Sequence, residues 1–310
     1  MLRGALVNDY LSMLGEKTFW HTLLHALPGL EDWTGVDFSE LPYQTENRFF
    51  DMSDEGEAPQ YIIRNASYFP ALRLPVPQIS LLQDIFPVGF GRDMQREVFQ
   101  SCETVVTNSA YTAFHYPEIA SKIAVVPIPV DPQRFLVRDC VRPVDQRTRV
   151  CWVGSSNLVK GIEILQTIVE TTPYEFVIVS KDEVPILHER VVGCSTVSQE
   201  RLADLMLSCD VGLCTSLRET QHLAGVEMGY TGMPIVTTNV GTYYNRAAGM
   251  WGSSGSEETI VERLHAAIHQ ESNPRQIRNY WLDEFGPLRA LARWQNIIDV
   301  SILAYQQKLL

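Results

Sequence analysis

Residues 210–241 read DVGLCTSLRETQHLAGVEMGYTGMPIVTTNVG, and the fold is decided there. The run DVGLCTS is apolar and short enough for a buried strand ending near Cys214. From His222 to Tyr230 the apolar residues Leu223, Val226 and Tyr230 keep helical spacing, and Gly232 and Pro234 stop the helix. Glu219 therefore falls on the loop above the carboxyl end of a strand, and Glu227 about one turn into the following helix. In an open α/β sheet that crevice is where ligands bind, and the helix start offers free N–H groups to an anion. Two acids flanking an anion site suit a ligand with a diphosphate and several hydroxyls, such as a nucleotide sugar. A glutamate near a helix start also serves plain dipole compensation, so the pair needs support from the rest of the chain.

That support comes from organisation. At 310 residues the chain can hold two domains of ordinary size, and 45% hydrophobic content supplies their cores. Segments 149–153, 175–179, 210–214 and 234–237 read as buried strands, separated by helical stretches near 161–171, 198–208 and 222–231. Strands alternating with helices imply a parallel, doubly wound sheet. The first half repeats the alternation more loosely, with a strand in 2–7, a Gly15 loop, a helix over about 17–27, and strands near 61–64, 79–82, 104–107 and 123–126. Proline-bearing, charged sequence between 131 and 148 reads as a linker, and Pro287–Leu310 as one long helix with an apolar stripe. The expected plan is an N-terminal Rossmann-like domain over 1–135, a linker at 136–148, a second such domain over 149–286, and a terminal helix over 287–310 that packs back on the first domain. The two domains would face a cleft.

Composition narrows the partners. The net charge is −12, and Arg3, Lys17 and Arg48 face eleven acidic residues in the first 60, which disfavours a phosphate-backbone or anionic-membrane surface. No apolar run reaches bilayer length, the N-terminus lacks signal-peptide order, and the chain is expected in the cytoplasm. The six cysteines form no C-x-x-C pair and read as reduced core residues. His21 and His25 share a helix face but have no third ligand in view, so no metal is expected.

VGSSNLVKG (153–161) carries a strand into a small-residue loop and then Lys160 as a helix opens. It is neither a P-loop nor G-x-G-x-x-G. A lysine at a helix start opposes the dipole, and neutralising a bound diphosphate would give it a reason to be there.

In order along the chain, VVTNSAYTAFHYPEIASKIAVVPIPVDPQRF (105–135), CWVGSSNLVKGIEIL (151–165), VSQERLADLMLSCDVGLCTS (197–216) and ETQHLAGVEMGYTGMPIVTTNVG (219–241) resemble the retaining GT-B glycosyltransferases of the family-4 group. The resemblance covers about 105–245 and is faint before 100. It implies that Glu219 contacts the donor-sugar hydroxyls, Glu227 the ribose hydroxyls, and Lys160 the diphosphate as its charge grows. It also implies N–H groups of Leu223 and Ala224 facing the phosphates, a close approach at Gly154 and Ser155, and a Gly15 loop near phosphate or sugar. No metal or other cofactor is implied, and UDP is favoured over GDP as the donor base.

Departures from the pattern are Ser155, where relatives place an arginine, and His222, where they place a glycine. His222 would narrow the sugar pocket or add a donor to the phosphate. Asp84, in ISLLQDIF, is the candidate for orienting the acceptor, with an ordinary loop aspartate as the other reading. Three functional alternatives stand beside a transferase of unidentified acceptor: a phage-type enzyme acting on modified DNA bases, a sugar-nucleotide epimerase, and a nucleotide-sugar-binding GT-B protein without turnover.

Overall fold

The computed structural model describes residues 2–7, 27–33, 41–65, 71–85, 90–137 and 147–310. Gly15, Lys17, His21, His25 and nearly all of the helix expected over 17–27 lie outside the described residues. The chain divides into two compact units, one of residues 1–129 with 287–310 and one of residues 130–286.

The first unit holds strands β1 (Gly4–Val7), β2 (Leu30–Asp32), β3 (Tyr61–Asn65), β4 (Gln78–Leu82), β5 (Thr104–Thr107) and β6 (Ile123–Val125). They form one sheet in the order β2-β1-β3-β4-β5-β6, parallel throughout. Helices α1 (Leu41–Asp54), α2 (Phe90–Ser101) and α3 (Ala110–Phe114) belong to this unit. A parallel sheet needs both faces covered. Leu6, Ile63, Ile79, Leu81 and Val106 pack on Trp294, Ile297 and Ile298 of the C-terminal helix Pro287–Leu309. On the other face Ala5, Val7 and Ile62 meet Trp33, Phe49 and Leu72. The apolar stripe of the C-terminal helix is narrower than its sequence suggests, because Leu288 is exposed and Ser301 is buried, bonded to Thr104.

The second unit holds β7 (Arg149–Gly154), α4 (Ile162–Thr171), β8 (Glu175–Ser180), β9 (Val191–Ser195), α5 (Gln199–Leu207), β10 (Val211–Cys214), α6 (Leu223–Tyr230), β11 (Ile235–Thr238), β12 (Gly252–Gly255), α7 (Ile260–His269) and α8 (Pro274–Phe285). Its sheet runs β12-β11-β10-β7-β8-β9, also parallel. The chain moves outward from β7 through β8 to β9, then returns to lay β10 on the other side of β7. That reversal is the topological switch point of a doubly wound sheet, where loops leaving adjacent strands part and open a crevice.

Segment 130–135 packs in the second unit, so the boundary lies at 129/130 rather than at 135/136. Phe135 is buried in the core that holds Tyr230 and Trp281, and the Arg278 guanidinium donates to the carbonyls of Pro132 and Phe135. Helix α6 is seated by Trp281, whose indole occupies the space a Cβ at Gly229 would need, 2.3 Å away. Burying an indole of this size contributes roughly 3 kcal/mol. Leu223, expected on the inner face of α6, is exposed, and Val226, Met228 and Tyr230 carry the burial instead.

Candidate active site

The loops that leave β7 and β10 at the switch point hold the chemistry. β7 ends at Gly154, whose missing Cβ would stand 2.8 Å from the Trp152 ring. Ser155 follows, and a 3-10 turn over Leu158–Lys160 ends at Gly161 in the left-handed region (φ 65°). The expectation that Lys160 opens an α-helix is corrected: α4 begins at Ile162, beyond the left-handed glycine, and Lys160 closes the preceding turn. The dipole penalty therefore does not apply, and the lysine has a different partner. Lys160 Nζ lies 2.5 Å from Glu219 Oε2, with side-chain exposures of 23% and 14%.

Several contacts force this meeting. A Cβ on Gly161 would fall 1.9 Å from the Thr215 carbonyl oxygen, so only glycine lets the two loops touch. The Thr215 hydroxyl donates to the Lys160 carbonyl at 2.8 Å and accepts from the Trp152 indole at 3.0 Å. The Leu217 amide donates to the Val159 carbonyl at 2.8 Å. Ser216 Oγ donates to Glu219 Oε2 at 3.3 Å, and Thr238 holds the Ser216 carbonyl from β11.

At the start of α6, His222 takes the cap position but makes no side-chain cap, so the N–H groups of Leu223 and Ala224 have no backbone acceptor among the described residues. The His222 ring is buried, and its Nδ1 lies 2.8 Å from the Tyr243 hydroxyl. Tyr243 is stacked on Trp251 with ring centroids 5.6 Å apart and stands edge-on to Trp281. Nothing in the sequence marked Tyr243. Its signal is Gly225, since a Cβ there would sit 1.7 Å from the Tyr243 hydroxyl.

Electrostatics follow from this packing. Burial alone lifts the Cys214 thiol and depresses the His222 imidazole, but their mutual charge outweighs it. The thiol is pulled down and the imidazole up, with Glu219 adding to the latter. Glu227, one turn into α6, is pushed up to about 7 by burial, with opposition from His222 and Arg134. Its carboxyl group accepts no hydrogen bond among the described residues, so it has acceptor capacity for hydroxyls. Burial holds Tyr243 well above the usual phenol range, keeping it a neutral donor or acceptor.

Of the residues singled out from sequence, Gly154, Ser155, Lys160, Glu219, His222, Leu223, Ala224 and Glu227 all lie on the β7 and β10 loops or at the start of α6. Asp84 lies in the first unit, exposed just beyond β4, its carbonyl accepting from the Tyr116 hydroxyl at 3.3 Å. Gly15 is outside the described residues. Among the described residues no three His, Cys, Asp or Glu side chains converge as metal ligands, and no helix is long and apolar enough to cross a membrane.

No protein-family model and no curated protein matches the sequence. Solved structures do match across nearly its whole length. The apo lipopolysaccharide outer core galactosyltransferase WaaB superposes with a TM-score of 0.70 at 14% identity, covering 96% of this chain and 99% of that one. HepE from Anabaena in complex with UDP gives 0.68 at 14% identity, covering 96% and 100%. AviGT4, a glycosyltransferase involved in avilamycin A biosynthesis, gives 0.65 at 17% identity, covering 98% of each chain. At such identities the likeness establishes the fold: two Rossmann-like parallel-sheet units of the GT-B type.

Proposed function

We propose that the protein is a GT-B glycosyltransferase that moves a sugar from a nucleoside-diphosphate donor to an acceptor hydroxyl. The observation that carries this reading is the Lys160–Glu219 pair at the switch point between β7 and β10, beside the free N–H groups of α6. A cation, two open N–H groups and a carboxylate together match the end of a nucleotide sugar where diphosphate and pyranose join. A second carboxyl, Glu227, lies one turn on, with acceptor capacity for a ribose diol.

In this reading Lys160 exchanges its carboxylate partner for phosphate oxygens, and Glu219 turns its lone pairs to the sugar hydroxyls. As the glycosidic bond lengthens, negative charge gathers on the departing phosphate. Once Lys160 has left Glu219 for the phosphates, it and the α6 N–H groups already face that charge when the bond breaks. Gly154 and Ser155 would admit the phosphates closely. Asp84 is the proposed orienting group for the acceptor hydroxyl. Attack on the same face, with the departing phosphate oxygen taking the acceptor's proton, would retain the anomeric configuration and need no metal.

UDP is the favoured donor nucleotide, and it is the ligand that HepE carries in its complexes. A thermal-shift panel of UDP, GDP, ADP and their sugar conjugates, with and without divalent metal, tests the reading. A ligand held by the folded chain alone raises Tm by mass action. Stabilisation by one nucleotide family without metal is the expected result. A well-folded protein indifferent to all of them would sink the donor-site assignment.

A further inference from the structure

An open sheet ends in strands whose outer N–H and C=O groups lack a neighbour, and proteins blunt such edges with short strands, charges or covering groups. The two sheets end in β2 and β6, and in β12 and β9. β2 has three residues, among them Glu31 and Asp32, and β6 also has three. The edge at β12 is occupied, because the Arg263 guanidinium donates to the Ser253 carbonyl at 3.2 Å and Gly249 bridges to Gly252. β9, Val191–Ser195, differs from all of these. It is five residues long, carries no charge and no proline, and leaves Val192, Gly193 and Ser195 exposed.

The backbone directions along β9 follow from its two ends. The Arg190 carbonyl accepts from the Phe176 amide at 2.8 Å, and the Thr196 amide donates to the Ser180 carbonyl at 3.2 Å. Alternate residues of a parallel strand serve the same neighbour, so Val192 and Cys194 also bond to β8. Val191, Gly193 and Ser195 therefore turn their backbone groups outward. The Val191 amide folds back onto the His188 carbonyl at 2.9 Å. The Val191 carbonyl, and the N–H and C=O of Gly193 and Ser195, have no backbone partner among the described residues.

We propose that β9 pairs antiparallel with β9 of a second copy of this chain, about a two-fold axis at Gly193, so that two second-unit sheets become one. A two-fold axis makes a single strand complementary to itself, and centring it on Gly193 is the register that pairs every residue of β9. Gly193 then exchanges both of its backbone bonds with its own equivalent, and the Ser195 amide meets the partner's Val191 carbonyl. Val192, 51% exposed, comes to lie opposite the partner's Cys194. Charge agrees with this register. Thr196 Oγ1 donates to the Lys181 carbonyl at 3.4 Å, which sets an exposed lysine at the carboxyl end of β9. The antiparallel arrangement brings Glu189, its side chain 85% exposed at the amino end, to the partner's Lys181.

Val192→Cys in the full chain tests the register, because it sets a thiol opposite the partner's Cys194 in a non-hydrogen-bonded pair. Such pairs hold their Cα atoms about 4.5 Å apart, within the span of a disulfide. Mild oxidation should give an interchain disulfide dimer that peptide mapping assigns to positions 192 and 194. Adding Cys194→Ser should abolish it. A crosslink that survives Cys194→Ser, or none in a variant that melts like wild type, would overturn the pairing. Sedimentation of wild type at about 100 µM, well above a micromolar Kd, should show a dimer, and Val192→Lys, which puts a charge on the edge, a monomer. Val192 is half exposed in the single chain, so both substitutions should leave the melting temperature in place. A monomeric wild type at that concentration, or a dimeric Val192→Lys, would overturn the proposal.

Discussion

Lys160 Nζ reaches Glu219 Oε2 at 2.5 Å across 59 residues of sequence, and the two loops that carry them are joined at Gly161–Thr215 and at Val159–Leu217. The pair is therefore a product of loop-to-loop packing rather than of two flexible side chains finding each other. Lys160→Ala should weaken nucleoside-diphosphate binding by about 30-fold or more, the lower end (about 2 kcal/mol) of the cost of removing one partner of a buried charge pair. Titration of UDP against both proteins checks it, and unchanged affinity would mean that the lysine serves only Glu219.

Glu219→Ala and Glu219→Gln should both abolish sugar transfer while melting within a few degrees of wild type. The residue lies on a loop and supports no apolar cluster. Transfer assayed with a stabilising donor, beside circular dichroism melts, separates the roles. Unfolding of both variants would make Glu219 a structural anchor instead.

Stability should carry the signature of Glu227. Its folded-state pKa of about 7 stands above the carboxylate value of 4.5, so the folded protein holds a proton that the unfolded chain has released. The stability due to that group is full below about pH 4.5 and is lost as pH rises through about 7. Glu227→Gln, which removes the titration, should therefore stabilise the protein at pH 8 relative to wild type by on the order of 1–3 kcal/mol. Denaturant midpoints at about pH 5 and pH 8 give the answer, and a difference unchanged between the two pH values would refute the raised carboxyl.

Gly161→Ala meets two penalties: a left-handed φ of 65° and a Cβ placed 1.9 Å from the Thr215 carbonyl oxygen. It should cost more than about 1–3 kcal/mol and weaken nucleotide binding in the same variant. A melt and a UDP titration on one preparation test both effects. Loss of stability with full affinity would uncouple the glycine from the site.

Arg278→Ala should loosen the entry into the second unit. The guanidinium serves the carbonyls of Pro132, Phe135 and Tyr230, and its removal leaves buried acceptors unmet, at about 1–3 kcal/mol. Proteolysis near 130–137 should accelerate in the variant. An unaltered cleavage pattern would show that the segment is held by Phe135 alone.

The strands that build the switch point were legible because β7, β8 and β10 carry continuous apolar runs and β11 opens on Ile235 and Val236 with β-branched threonines behind, the mark of strands buried on both faces. The edge strands of the second sheet were not. β9 is half exposed, and β12 is GSSG, a composition that reads as turn and pairs only because β11 offers it a parallel ladder. Helices α1 and α2 also escaped notice, their apolar residues being diluted by charge. At the site, the spacing of Glu219 and Glu227 and the position of Lys160 were visible in the text of the chain. The salt bridge and the Tyr243 clamp were not, since both come from contacts between distant loops.

The contacts among Trp152, Val159, Lys160, Gly161, Thr215 and Leu217 make the two site loops a single inherited part. Anyone grafting a new donor preference onto this scaffold would have to transplant both stretches as one cassette, along with the Tyr243 turn that braces His222. A loop exchanged alone would arrive without the counterpart that gives it its shape.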